Sequence, residues 1–340
     1  MKAGVPFLRS RLVAALVAGT FTLAACGSPA APASPEPPSS AQQPAASPGG
    51  AAFPVSIEHK FGSTTVPAQP RRVVTVGWND QDFVLSLGVV PVSTRAWFDE
   101  YATYPWVTPK LNGRPLPTFS AELNFEAIAK QRPDLILAIY ETISKETYEK
   151  LSSIAPTVVQ AAAYPDEQTP WDVQTLTTGK ALGKAAEAQA LVDKVNARIE
   201  DAKKAHPEFA GKVMAVDFGP DKGQHWILPA KDPRRALFDA LGFGAQEVAN
   251  ELSDERLDLV DKDVLFVNGA TRKTMMTSPA FSRLDVVRTD RTLYCSFDTP
   301  LGGALSYSGP DALLYALDAL VPQLANAVDG DPATVVGDLS

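Results

Sequence analysis

Sulfur and imidazole are scarce in this chain, which narrows the chemistry it could perform. Only Cys26 and Cys295 carry a thiol, and only His59, His206 and His225 an imidazole. A site that captures Zn²⁺ or Mn²⁺ directly gathers several His and carboxylate ligands. No spacing here brings His59 and His206 together, so no directly bound metal is expected. A nucleophile elbow of the Gly-x-Ser-x-Gly kind is absent, and Ser306-Tyr307-Ser308-Gly309 does not supply one. Phosphate loops of the Gly-x-x-x-x-Gly-Lys type are absent too. Carboxylates are plentiful, yet no pair can be assigned as general acid and base. The chain therefore reads as a non-enzyme, with no catalytic residue and no resident cofactor.

Cys26 is the exception, because its neighbours give it a reaction. It follows Leu23-Ala24-Ala25, and ahead of that lie Lys2, Arg9, Arg11 and an apolar run from Leu12 to Leu23. A basic start, a short apolar region and small residues at the cut mark a secretory signal. About a dozen apolar residues are too few to span ~30 Å of hydrocarbon. The motif resembles the bacterial lipobox, in which the cysteine is lipidated and becomes the mature N-terminus. Residues 1–25 are then a signal peptide. Residues 26–52, rich in Pro, Ala, Ser, Gly and Gln, form a disordered tether too poor in large apolar groups to offset ordering entropy. The expected address is the outer face of a bacterial cytoplasmic membrane, with a lipid anchor at Cys26. With Cys26 acylated, Cys295 has no disulfide partner, and in Thr292-Leu293-Tyr294-Cys295 it reads as a small buried hydrophobe.

Losing the signal leaves 28 basic against 39 acidic residues and moves the formal charge from −8 to −11. An acidic body argues against nucleic acid as a partner. Its 45% hydrophobic and 21% charged content are ordinary for a globular protein.

The elements that would position a site alternate along the body. Short apolar runs at 72–76, 134–139 and 157–159 read as buried parallel strands, with helical patterns at 82–87, 125–131 and 144–153 between them. A second alternating block holds strands at 213–218, 226–228, 264–267 and 292–295. Its helices are expected at 233–241, 254–260, 279–284 and 310–320. Between the blocks, Ala188, Leu191, Val192, Val195, Ile199 and Ala202 form one buried stripe on an uninterrupted helix, roughly 30 Å long. The pattern implies two α/β sandwich lobes with Rossmann-like, mainly parallel sheets, joined by one long rigid α-helix, with a ligand cleft between them. The expected boundaries are 53–183 for the N-terminal lobe, 184–206 for the linker helix, 207–328 for the C-terminal lobe and 329–340 for a tail.

Several segments in this order and spacing resemble the periplasmic iron–siderophore (ferrichrome/ferric dicitrate-type) binding lipoproteins of ABC importers, the class with a helical linker. They are Val66-Pro67-Ala68-Gln69-Pro70-Arg71-Arg72-Val73-Val74, Trp78 to Asp82 with Leu87 to Val92, Asn124 to Ala129 with Arg132 to Ile136, and Ile154-Ala155-Pro156-Thr157-Val158. Phe125 and Arg132 stand where Leu and Lys are usual. The resemblance implies a monomeric receptor that takes a ferric siderophore and delivers it to a membrane permease. Cobalamin and haem receptors share the fold, and a secreted enzyme built like a nitrogenase cluster scaffold is the remaining alternative, though such scaffolds need Cys thiolates.

In that family the ligand lies between the lobes, at strand ends and the loops after them. Those positions hold Trp78, Arg95, Trp97, Phe98, Tyr101 and Tyr140 in the first lobe and Trp226, Arg272 and Tyr307 in the second. Aromatic faces would pack the organic scaffold and guanidinium groups would bind chelating oxygens. As loop residues, Trp78, Arg95 and Trp97 are expected to carry little core packing. With Arg95 and Arg272 as the placed arginines, hydroxamate-type or mixed chelates fit better than strongly anionic catecholates. His225 would be either an axial haem ligand or a hydrogen-bonding loop residue. Family members dock on the permease through one exposed Glu per lobe. The matching positions are Glu126, after Asn124, and Glu255, after Ser253, and both are also suited to complement a helix dipole.

Overall fold

The computed structural model describes residues 53–221, 223–331, 333–337 and 339. The signal peptide, Cys26 and the tether lie outside them. The described chain begins with a hairpin that pairs β1 (Val55–His59) and β2 (Gly62–Val66). The first sheet is built from short strands, most of them apolar in sequence except the Ser-Thr-Arg of β4: β3 (Val73–Thr75), β4 (Ser93–Arg95), β5 (Thr118–Phe119), β6 (Leu135–Ala138) and β7 (Thr157–Val159). Their order is β5-β4-β3-β6-β7 and every pair is parallel. β3, β4, β6 and β7 are buried along their whole length, as strands covered on both faces must be. The chain builds outward from β3 to β5, then crosses back to β6. The ends of β3 and β6 thus flank the point where winding reverses, where open α/β sheets leave a crevice.

Four short helices cover this sheet: α1 (Asp80–Ser86), α2 (Thr108–Leu111), α3 (Phe125–Lys130) and α4 (Lys145–Ser152). Next come α5 (Trp171–Leu182) and the linker α6 (Ala185–Ala205), which pack on each other. Gly183 makes the corner at φ 70°, with the Phe53 ring 2.6 Å from where a Cβ would stand, so glycine is required there. On α6 the stripe Ala188, Val192, Val195, Ile199 and Ala202 is buried, while Leu191 is only half-buried.

The second sheet comprises β8 (Val213–Asp221), β9 (Gln224–Ile227), β10 (Gly244–Ala245), β11 (Asn250–Ser253), β12 (Val264–Asn268) and β13 (Thr292–Cys295), ordered β11-β9-β8-β12-β13 with β10 beside the start of β8. Its β8-β12-β13 half is parallel, but β9 and β11 run antiparallel. The two residues between β8 and β9 cannot make the crossover of a dozen or more that a parallel pair needs. This lobe's helices are α7 (Ala236–Leu241), α8 (Arg272–Met275), α9 (Asp285–Arg288), α10 (Pro300–Tyr307) and α11 (Pro310–Val328). Several differ from expectation: 254–260 is a 3₁₀ stretch, 279–284 holds only the 3₁₀ turn Phe281–Arg283, and α8, α9 and α10 fall where no helix was expected. The Ser306-Tyr307-Ser308 segment, read as a loop, ends α10, and α11 runs eight residues past 320 because Ala316, Leu317, Leu320, Leu324 and Ala327 continue its buried stripe through Pro322.

The linker is not the sole joint. One hydrophobic cluster joins Leu85, Tyr101, Tyr104 and Trp106 of the first lobe to Val216, Leu301, Tyr307 and Leu313 of the second. Helix α11 packs against α1, α5 and α6 together.

Candidate functional site: an aromatic cleft between the lobes

A cleft of about 620 Å³ opens between the two sheets. Trp78 after β3, Trp97 and Phe98 after β4, Tyr140 after β6 and Asp166 to Gln168 after β7 form its first wall. The second is built from Phe218 on β8, Asp232 and Arg234 before α7, Phe238, Asn268 at the end of β12, Phe297, and Leu305 and Ser306 on α10. The Trp78 and Trp97 rings are 5.9 Å apart and Trp97 stacks on Phe98 at 4.9 Å. Trp97, at 37% exposure, presents the most open of these faces.

Asp80 sets the floor. Its Oδ2 accepts the amides of Gly77 and Ile139, both at 3.0 Å, and its Oδ1 that of Tyr140 at 3.2 Å. One buried carboxylate thereby ties the exits of β3 and β6, while the Trp78 amide donates to the Tyr140 carbonyl at 3.0 Å. A Cβ on Gly77 would lie 2.4 Å from the Asp80 carboxylate, so only glycine admits this arrangement. Burial pushes the Asp80 carboxyl up to about 6, against the pull of those three amides. In sequence Asp80 stood only between the first strand and the helix expected at 82–87.

Arg95 does not line the cleft. It is 7% exposed, forms an ion pair with Glu141, and donates through Nε to the Ala121 carbonyl at 2.6 Å. Its guanidinium lies 3.4 Å from the centroid of the Trp78 ring. Arg95 thus props the tryptophan from behind. Burial raises the Glu141 carboxyl to about 7 even beside this arginine.

The aromatic segment after β4 divides in two. Trp97 and Phe98 face the cleft, whereas Tyr101, Tyr104 and Trp106 are core. Tyr101 donates its hydroxyl to Asp82 Oδ1 at 2.8 Å. Tyr307 is fully buried beneath the cleft, 4.2 Å from the Tyr101 ring and 5.0 Å from Trp97, and its hydroxyl accepts the Phe98 amide at 3.3 Å. Both tyrosines are therefore placed in the joint, not on the wall. Trp226 stands one layer behind, edge-on to Phe218 at 5.1 Å, with Arg234 4.9 Å above its ring. Arg272 is exposed on α8, paired with Asp290 at 3.5 Å, and is not among the lining residues. Arg234, which sequence reasoning missed, is the arginine in the cleft. Its signal was available only as an Asp-Pro-Arg-Arg helix start, where Asp232 accepts the Arg234 amide at 3.0 Å.

His225 cannot serve as an axial haem ligand as placed. It is 1% exposed, with Nδ1 2.6 Å from Asp217 and Nε2 3.0 Å from Asp254. Burial works against its charged form, but the two carboxylates prevail and raise its pKa. Among the described residues no group of three or more His, Cys, Asp or Glu is arranged to hold a metal ion. Cys295 is buried, and burial pushes its thiol up to about 11. Glu126 is exposed on α3, whose cap Asn124 accepts the Ala127 amide at 2.9 Å. Glu255 is exposed on a 3₁₀ stretch, Asp254–Val260, and Ser253 makes no side-chain cap there.

The sequence is 28% identical over 256 residues to the Fe(3+)-citrate-binding protein YfmC of Bacillus subtilis, covering 72% of this chain and 78% of that protein. A periplasmic solute-binding protein from Mycobacterium smegmatis superposes with a TM-score of 0.75 at 30% identity, over 81% of this chain and 98% of the other. PiaA of Streptococcus pneumoniae in complex with ferrichrome superposes with a TM-score of 0.69 at 28% identity, over 81% and 98%. Residues 73–299, which span both sheets and the linker, match the periplasmic binding protein family as a whole. The chain belongs to that family.

Proposed function

We infer that this protein is an extracytoplasmic binding protein that captures a ferric siderophore and delivers it to an ABC importer, without catalysing a reaction. The observation that carries this reading is the cleft itself. About 620 Å³ of space is walled by Trp78, Trp97, Phe98 and Tyr140 on one lobe and Phe218 and Phe297 on the other. Flat aromatic faces on two sides suit the organic shell of a metal chelate, in which the chelator and not the protein ligates the iron. Relatives named for ferric citrate and solved with ferrichrome support the same cargo.

In the finer reading these wall residues make the ligand contacts, with Trp226 and Arg95 supporting them from behind. The protein works as a monomer, with residues 53–183 and 207–328 as its lobes. Glu126 and Glu255, one exposed carboxylate per lobe, dock on basic residues of the permease. A lipid on Cys26 holds the protein at the outer face of the cytoplasmic membrane. Titration with ferric siderophores, followed by quenching of the cleft tryptophans, tests the central claim. Saturable quenching by a ferric siderophore but not by haem or cobalamin is expected, and the reverse pattern would replace siderophore by tetrapyrrole.

A further inference from the structure

Resting on that reading of the cleft, we propose that it selects ferric chelates with no net negative charge, of the hydroxamate type, and discriminates against tricatecholates. Three hydroxamates balance Fe(III) and leave a neutral complex, or a cation where the scaffold keeps a free amine. Three catecholates leave a trianion. The side chains around the cleft are set for the first kind.

Among the described residues Arg234 is the one cationic side chain lining the cleft, and its charge is already engaged. Its Nε and Nη2 donate to the two carboxylate oxygens of Asp232 at 2.8 and 2.7 Å, and its guanidinium lies over Trp226 and Phe218 at 4.9 and 5.3 Å. The facing wall adds Asp166 and Glu167. Asp166 pairs with Lys60, whereas Glu167 accepts the Thr142 hydroxyl at 3.0 Å and forms no ion pair among the described residues. Three carboxylates thus stand against Arg234 and Lys60, and one negative charge is left over. Arg95, closed by Glu141, and Arg272, outside the cleft beside Asp290, do not change this balance. A trianion would enter against that field.

The neutral polar groups agree. Asn268 lines the cleft with a buried Oδ1 that has no hydrogen-bond partner. Beside the cleft, a side pocket of about 40 Å³ that also touches Arg234 is lined in part by Asn79 and Gln174, and each carries a buried, unpartnered amide oxygen. Gln174 gives its Nε2 to the Thr169 carbonyl at 2.8 Å, which leaves the oxygen as its free end. Amide oxygens accept bonds from amide N–H or ammonium donors, both of which hydroxamate scaffolds carry.

The test titrates the detergent-solubilised full chain with two panels, hydroxamate complexes including Fe(III)–desferrioxamine B, and catecholate complexes including Fe(III)–enterobactin. Tryptophan quenching is read at low and high salt. The hydroxamates should bind at least about a hundredfold more tightly, and Glu167→Gln should improve catecholate binding about tenfold while leaving the hydroxamates unimproved. High salt should narrow the gap between the panels. Catecholates bound as tightly as hydroxamates, or more tightly, would overturn the proposal while leaving the ferric-chelate function intact. Binding of neither panel, nor of ferric citrate, would instead remove the ferric-chelate reading on which it rests.

Discussion

The amide of Gly309 donates to Asp82 Oδ2 at 3.0 Å, so a buried carboxylate of the first lobe is bonded to the residue that opens the last helix of the second. The other oxygen of Asp82 accepts from Tyr101 and Trp106, at 2.8 and 2.9 Å. No space separates the partners, since a Cβ on Gly309 would stand 2.3 Å from that carboxylate. Together with the shared core around Tyr307, this bond makes the two lobes one packed body on the side away from the cleft mouth. Ligand should therefore close the lobes by only a small angle. Scattering with and without ferric siderophore should give nearly the same radius of gyration, and a marked compaction would show that the joint yields.

Breaking that bond should cost stability. Asp82→Ala strips three donors of their buried acceptor, at roughly 1–3 kcal/mol for each group left unsatisfied. Urea unfolding should register a loss of several kcal/mol, with ligand affinity reduced through the displaced aromatic segment.

The pH dependence follows from the same carboxylates. Burial raises Asp80 and Asp82 to about 6 and Glu141 to about 7, so the folded protein holds protons there that the unfolded chain has released. A raised folded pKa contributes stability that is complete below the unfolded value and lost as pH climbs through the folded one. His225, also raised, acts in the same direction, while His59, lowered, opposes it. The thermal midpoint should fall as pH rises from 5 to 7.5, and Asp82→Asn should flatten that slope.

Arg95 separates a loop role from a buried one. Read as a loop arginine, it would be removable without change in the thermal midpoint. Paired with Glu141 in the interior, Arg95→Ala leaves a buried carboxylate alone and should cost about 3 kcal/mol. Adding Glu141→Gln should restore part of that stability without restoring ligand affinity, because Trp78 has lost the guanidinium behind its ring.

Trp97 should behave in the opposite way. With more than a third of its surface open, Trp97→Ala should leave the thermal midpoint nearly unchanged and weaken ferric-siderophore binding about tenfold through the lost aromatic face.

Docking is tested by Glu126→Arg combined with Glu255→Arg. Both side chains are exposed and lie outside the cleft, so the double variant should bind ligand normally yet fail in uptake. Normal uptake with intact binding would remove them from the docking surface.

What the sequence by itself determined is what short stretches of chain decide. The strands β3, β6 and β7 are legible from apolar runs a few residues long, and the linker from a stripe repeating at the helical period. Strand exits could likewise be counted, which places Trp78, Trp97, Phe98 and Tyr140 on the cleft wall. Tertiary structure alone decided where a polar or aromatic side chain ends up once it leaves the backbone. Arg95 and its partner Glu141 are 46 residues apart, and Asp82 and Gly309 are 227 apart. Tyr307 looked like a loop residue because its burial depends on a segment of the other lobe. Arg234 and Arg235 are neighbours in sequence, and only the fold leaves Arg235 bonded to Asp239 and Gln246 in the interior and turns Arg234 into the cleft. Periodicity reports which face of an element is buried, but the partner of a buried charge is set by the packing of distant elements, and no local pattern carries that information.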